Sequence, residues 1–159
     1  NMTNYLLDRG HKNIGFVGTR LMTPSIDDRF FGYLKALMER GIKYRADWII
    51  DDRDNIYGKM NYDRQFILPK EVPTAFFCNC DKAASLIIRK LEEAGYSVPG
   101  DVSVVGFDNF EYDQEADIGI TTYEKMQNAL YSAGVFSIQG KIIERESVKK
   151  IGKSVPYVK

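Results

Sequence analysis

Residues 73–109 read PTAFFCNCDKAASLIIRKLEEAGYSVPGDVSVVGFDN and hold a complete strand, helix and strand. A nearly unbroken apolar run, 74–78, is followed by a segment, 82–94, whose apolar residues recur every three and four positions. Gly95 closes that segment and a second apolar run, 102–107, follows. Short continuous apolar runs mark strands buried on both faces, and the three-and-four spacing marks a helix. Two strands separated by a helix pair in parallel, joined by a right-handed crossover.

The same alternation extends towards the N-terminus. Residues 14–18 (IGFVG) and 48–50 (WII) are further strand-like runs. Helical spacing recurs over 2–9 before Gly10, over 26–40 before Gly41, and over 57–68 before Pro69. Four rounds of strand and helix predict an α/β domain with three αβα layers and a mostly parallel sheet. After Thr121 the alternation ends: a helix is expected over 124–136, then one strand-like run over 141–148 after Gly140. The expected division is 1–120 as the main lobe, 121–140 as a crossover helix and connection, and 141–159 as a returning strand and tail. The chain opens on a helix with no preceding strand, as expected of a piece of a longer protein.

Composition narrows the function. The 159 residues are 44% hydrophobic and 28% charged, enough for one domain with a real core. Lys+Arg and Asp+Glu stand at 22 each, leaving no excess positive field to hold a nucleic-acid backbone. No run approaches the roughly 20 apolar residues of a membrane span, and no charged segment followed by an apolar one heads the chain. Cys78 and Cys80, two apart in an expected strand, lie too far apart for an easy disulfide, which suits a reducing cytoplasm. His11, the one histidine, sits at a turn and reads as structural. No Gly-x-Ser-x-Gly elbow, phosphate-cradling Gly loop or metal-ligand set occurs, so neither catalysis, cofactor nor metal is expected.

In open α/β sheets, ligands collect beyond the carboxyl ends of the strands. That rule selects the loops 19–29, 51–57, 79–82 and 108–112. Asp108 follows the strand VSVVGF, where its carboxylate could accept from two ligand hydroxyls or simply close an Asx turn. Arg29, in the first turn of its helix, could hold a polyol with its planar fork or pair with Asp27 or Asp28 on a solvated face. Asp81 reads as a helix N-cap or a ligand contact, with Asn79 as a further polar candidate beside it. Arg53 reads as a solvated loop residue or as a cation for an acidic or phosphorylated sugar.

Residues 73–109 closely resemble the LacI/GalR family, in which a polar-Asp pair, a helix, Val-Pro-x-Asp-Val-Ser and Gly-[Tyr/Phe]-Asp follow in this order. GHKNIGFVG at 10–18, SIDDRFFGYLKAL at 25–37, ITT at 120–122 and ERESV at 144–148 match further family landmarks. The resemblance implies one lobe of a periplasmic-binding-protein-like clamshell. It implies a small-molecule effector, a sugar or sugar derivative, held by Arg29 and Asp108. It implies a homodimer formed through Ser85, Leu86, Arg89 and Tyr112, and operator DNA read by a helix-turn-helix outside this chain. Cys80 stands where the family commonly has Asn, and Arg53 lies where relatives often offer an apolar or aromatic surface. A secreted solute-binding protein of the same fold is the competing reading, and an α/β enzyme a more distant one that the absent Gly-rich fingerprint disfavours.

Overall fold

The computed structural model describes residues 1–158 apart from 55, 61, 63, 111–116, 126–129, 133–134 and 138, with backbone alone for 130–132 and 135–137. Helix α1 (Met2–Asp8) leads into β1 (Ile14–Val17), α2 (Pro24–Glu39), a 3-10 turn (Ala46–Trp48) and β2 (Ile49–Ile50). Then come β3 (Ala75–Cys78), α3 (Asp81–Glu93) and β4 (Ser103–Val105). The four strands form one parallel sheet in the order β2-β1-β3-β4.

Side chains alternate across a strand, so the sheet has two buried faces. Phe16, Ala75, Phe77 and Val105 meet α1 and α2 through Leu6, Phe30, Tyr33 and Leu37. Val17, Phe76, Cys78 and Val104 meet α3 through Ala84, Ile87, Ile88 and Leu91. This is the expected three-layer αβα arrangement. Helix α2 starts where Thr23 accepts the Ile26 amide and Pro24 fills the first turn.

Two expected helices are replaced. Over 57–68 no helix forms among the described residues. Asp54 takes the amides of Ile56, Tyr57 and Lys59 on its carboxylate, an alternative to helical hydrogen bonds that Asx side chains offer the backbone. Gly58 and Phe66 adopt positive φ. The spacing that suggests a helix reflects Met60, Tyr62, Phe66 and Leu68 packing on the α3 side of the core from an irregular segment. Over 124–136 the expected helix gives way to β5 (Thr122–Lys125), β6 (Leu130–Ser132) and β7 (Val135–Ser137). Strand β5 pairs antiparallel with β8 (Gly140–Ile143), and β6 with β7. The returning strand is therefore shorter than 141–148, because after Ile143 the chain turns back against the sheet. There the Ser147 hydroxyl donates to the Val104 carbonyl at 2.6 Å and accepts the Thr121 amide at 2.8 Å.

The last residues lie along α1 and α2. The Val155 amide donates to the Leu7 carbonyl and its side chain is buried in the core. Arg40 donates to the Val155 carbonyl and to Asp8, with its guanidinium over the Tyr157 ring. No helix among the described residues is long and apolar enough to cross a membrane.

Candidate ligand-binding site

The loops after β1, β2, β3 and β4 converge at one end of the sheet, and their floor is a buried polar network. The Asp52 side chain is fully buried. It accepts the Thr19 amide at 2.9 Å, the Asn79 side-chain amide at 2.8 Å, and both Nε and Nη2 of Arg53. Burial raises the Asp52 pKa, but the donors from Arg53, Asn79 and Thr19 outweigh it and hold the carboxyl below its ordinary value. The Thr19 hydroxyl closes the network by donating to the Arg53 carbonyl.

Above this floor, Arg29 joins the loops. Its Nη1 donates to the Asn79 carbonyl and its Nη2 to Asp108 Oδ1 at 3.0 Å, while its guanidinium lies 4.2 Å from the centre of the Phe107 ring. Lys125 brings a second cation to the same Asp108 oxygen at 2.7 Å. Phe107 stacks on Tyr123 with centroids 5.1 Å apart. Arg29, Phe77, Phe107, Tyr123 and Lys125 line an open cavity of about 340 Å³. A polar rim over an aromatic wall suits a small ligand with hydroxyls on its edge and an apolar or flat face.

The domain profile described as periplasmic binding protein-like matches residues 3–147. The chain belongs to this family. Transcription regulators and repressors of LacI type are among the proteins it is similar to. It is 30% identical over 152 residues to the HTH-type transcriptional repressor PurR of Pasteurella multocida, covering 94% of this chain and 45% of that protein. The chain thus spans about half the length of the curated relatives it matches. Among solved structures, a sugar-binding LacI-family regulator of Escherichia coli complexed with phosphate superposes with a TM-score of 0.74 at 20% identity, over 95% of this chain and 60% of that one. The Escherichia coli repressor ascG superposes at 0.72 and 21% identity, over 94% and 60%. These relatives are repressors and regulators rather than enzymes.

Within this periplasmic-binding-protein-like lobe, the five candidate residues have different places. Arg29 lines the cavity and is paired with Asp108, so the alternative of an ion pair with Asp27 or Asp28 gives way to one with Asp108. Asn79 and Arg53 lie one layer below, committed to Asp52. Arg53 is therefore no solvated loop residue, since its side chain is 18% exposed. Asp81 is not the cap of α3: Cys80 holds the N-cap position without a side-chain bond, and Asp81 opens the helix. Its Oδ2 accepts the Phe110 amide instead.

Of the residues expected at a dimer face, Ser85 and Leu86 are buried within the chain at 4% and 5% exposure. Arg89 is on the surface, paired with Glu93, and Tyr112 lies outside the described residues. His11 is buried between Thr74 and the Lys149 carbonyl. Burial pushes the thiols of Cys78 and Cys80 up, so neither is an activated nucleophile. Sequence reasoning missed Asp52, Tyr123 and Lys125. Asp52 carried a weak signal as the second of two acidic residues after an apolar strand, whereas Lys125 fell inside the helix expected over 124–136 and Tyr123 just ahead of it.

Proposed function

We propose that this chain is the C-terminal lobe of the effector module of a LacI-type transcription regulator, and that it binds a sugar or sugar derivative against Arg29 and Asp108. The observation that carries the reading is the Arg29–Asp108 pair, in which Arg29 lines the cavity and Asp108 is bonded to it, the side chains only 11% and 22% exposed and Arg29 backed by Phe107. A carboxylate accepts from adjacent hydroxyls and a guanidinium donates in a fixed fork, so together they can exchange their mutual contact for contacts to a polyol. In the intact protein a second lobe closes over the ligand, and closure shifts a dimer between states of different operator affinity. DNA is read by a segment outside this chain, and the protein works in the cytoplasm.

The test is titration calorimetry of the intact protein with D-ribose, D-glucose, their phosphate esters and nucleobases. Asp108→Asn and Arg29→Ala are expected to weaken the effector that binds by roughly ten- to a hundred-fold, the loss of one charged hydrogen-bonding partner. Arg29→Ala also removes the donor to the Asn79 carbonyl and lowers stability, so Asp108→Asn is the cleaner probe. Wild-type affinity in Asp108→Asn removes Asp108 from the site. Binding of a nucleobase and of no sugar moves the ligand class to a planar heterocycle stacked on the aromatic wall.

A further inference from the structure

Asp108 occupies an unusual piece of backbone. Asp108 and the following Asn109 have φ of 94° and 52°, two successive non-glycine residues in the left-handed region. Such residues are strained and persist where surrounding contacts over-determine them. The Asp108 amide donates to the Tyr123 carbonyl at 2.9 Å, and the Asn109 amide to the Thr122 hydroxyl at 3.3 Å. The Asn109 side chain bridges Glu124 at 3.2 Å and Arg145 at 2.7 Å. The far side of the turn is held by one residue. The Asp81 amide donates to the Phe107 carbonyl at 3.1 Å, and its Oδ2 accepts the Phe110 amide at 2.9 Å.

Asp81 thus grips the turn on both sides of the strained pair. Its side chain is buried at 6% exposure, at the start of α3, which is anchored in the core on the opposite face of the sheet from α2. Gly106 leaves the space it needs, since a side chain there would collide with Asp81 Oδ1. Burial pushes the Asp81 carboxyl up, opposed by the Thr122 hydroxyl and the Phe110 amide. A buried carboxylate is retained against that cost where it accepts a hydrogen bond.

We propose that Asp81 is a positioning residue: by bracketing residues 107–110 from α3 it holds Asp108 in its left-handed conformation, facing Arg29, in the geometry that meets the effector. The inference rests on the reading of Arg29 and Asp108 as effector contacts. Asp81 itself touches no ligand, and its influence on affinity runs entirely through Asp108.

The test compares the intact wild-type protein with Asp81→Ala, Asp81→Asn and Asp81→Ala/Asp108→Asn, by amide hydrogen exchange and by calorimetry with the sugars, sugar phosphates and nucleobases named above. Asp81→Ala removes the acceptor, so exchange of the Phe110 amide is expected to accelerate and the Kd to rise by roughly tenfold. Asp81→Asn keeps an acceptor oxygen in place, so both readouts return close to wild type. In the double variant, affinity is expected to fall no further than in Asp108→Asn alone. Unchanged Phe110 exchange in Asp81→Ala overturns the bracket, whether or not any compound binds. Additive losses in the double variant overturn the route through Asp108 and make Asp81 a direct contact. If no compound binds the wild type, the effector reading fails by itself, and the exchange result still decides whether Asp81 holds the turn.

Discussion

Arg53 and Asp52 are adjacent in the chain, yet they carry opposite burdens. The carboxylate is fully buried and the guanidinium is the one full charge bonded to it among the described residues, in a fork at 2.6 to 3.1 Å. Removing one member of a buried pair leaves the other charge without its counterion, which costs more than the pair itself contributes. Arg53→Ala is therefore expected to destabilise the fold by about 3 kcal/mol, read as a lower urea midpoint. A variant with wild-type stability and weakened effector binding would show instead that Arg53 belongs to the ligand site. The Asp108 pair differs in kind, because it is partly exposed beside a cavity and its carboxylate is shared by Arg29 and Lys125. Contacts that can be exchanged for a ligand belong there.

Elements are joined at the opposite end of the sheet by His11. Its Nε2 lies 3.0 Å from the Lys149 carbonyl, which can only accept, so that nitrogen donates. Its Nδ1 lies 3.0 Å from the Thr74 hydroxyl just ahead of β3. One ring thus ties the start of β1 to β3 and to the returning C-terminal segment. Burial holds its pKa below the ordinary 6.5. The unfolded chain takes up a proton near that value while the folded chain resists, so this contribution to stability is complete above 6.5 and is lost as pH falls below it. Urea midpoints at pH 7.5 and 5.5 should decline more in the wild type than in His11→Gln. Equal declines would show that the ring does not resist protonation. Close approach between β1 and its neighbours depends on Gly15, where a Cβ would lie 2.6 Å from the Phe76 ring and 2.8 Å from the Trp48 carbonyl oxygen.

At the scale of the molecule, the balance of 22 basic and 22 acidic residues leaves this lobe without the field that counterion release requires. The chain alone is expected to give no salt-dependent mobility shift with duplex DNA at micromolar concentration. A shift that weakens with added salt would place DNA contacts on this lobe. The sheet divides the core in two, with α1 and α2 on one face and α3 on the other, and the candidate site draws on both. Arg29 comes from α2, whereas Asp108 is held from α3. Displacement of either layer relative to the sheet would therefore alter the site.

The sequence by itself determined the layers and the sheet. Continuous apolar runs at 14–18, 74–78 and 102–107 can be buried only between helices, and that pattern is local. It also determined that Arg29, early in its helix, and Asp108, just past its strand, lie near the strand ends, through the order of motifs along the chain. Tertiary structure alone decided the rest, because spacing records which residues are apolar and not what they pack against. The segment 57–68 has helical spacing but takes an irregular path, its apolar residues buried against α3 while Asp54 captures its amides. Arg53, Asn79 and Asp81 are polar residues near the strand ends, yet Asn79 and Asp81 find their partners 27 and 29 positions away, and Arg53 pairs with a neighbour, Asp52, whose burial no local rule foretells. A side chain's chemistry is written in the sequence; whether it meets solvent, a counterion or a ligand is set by what the fold brings beside it.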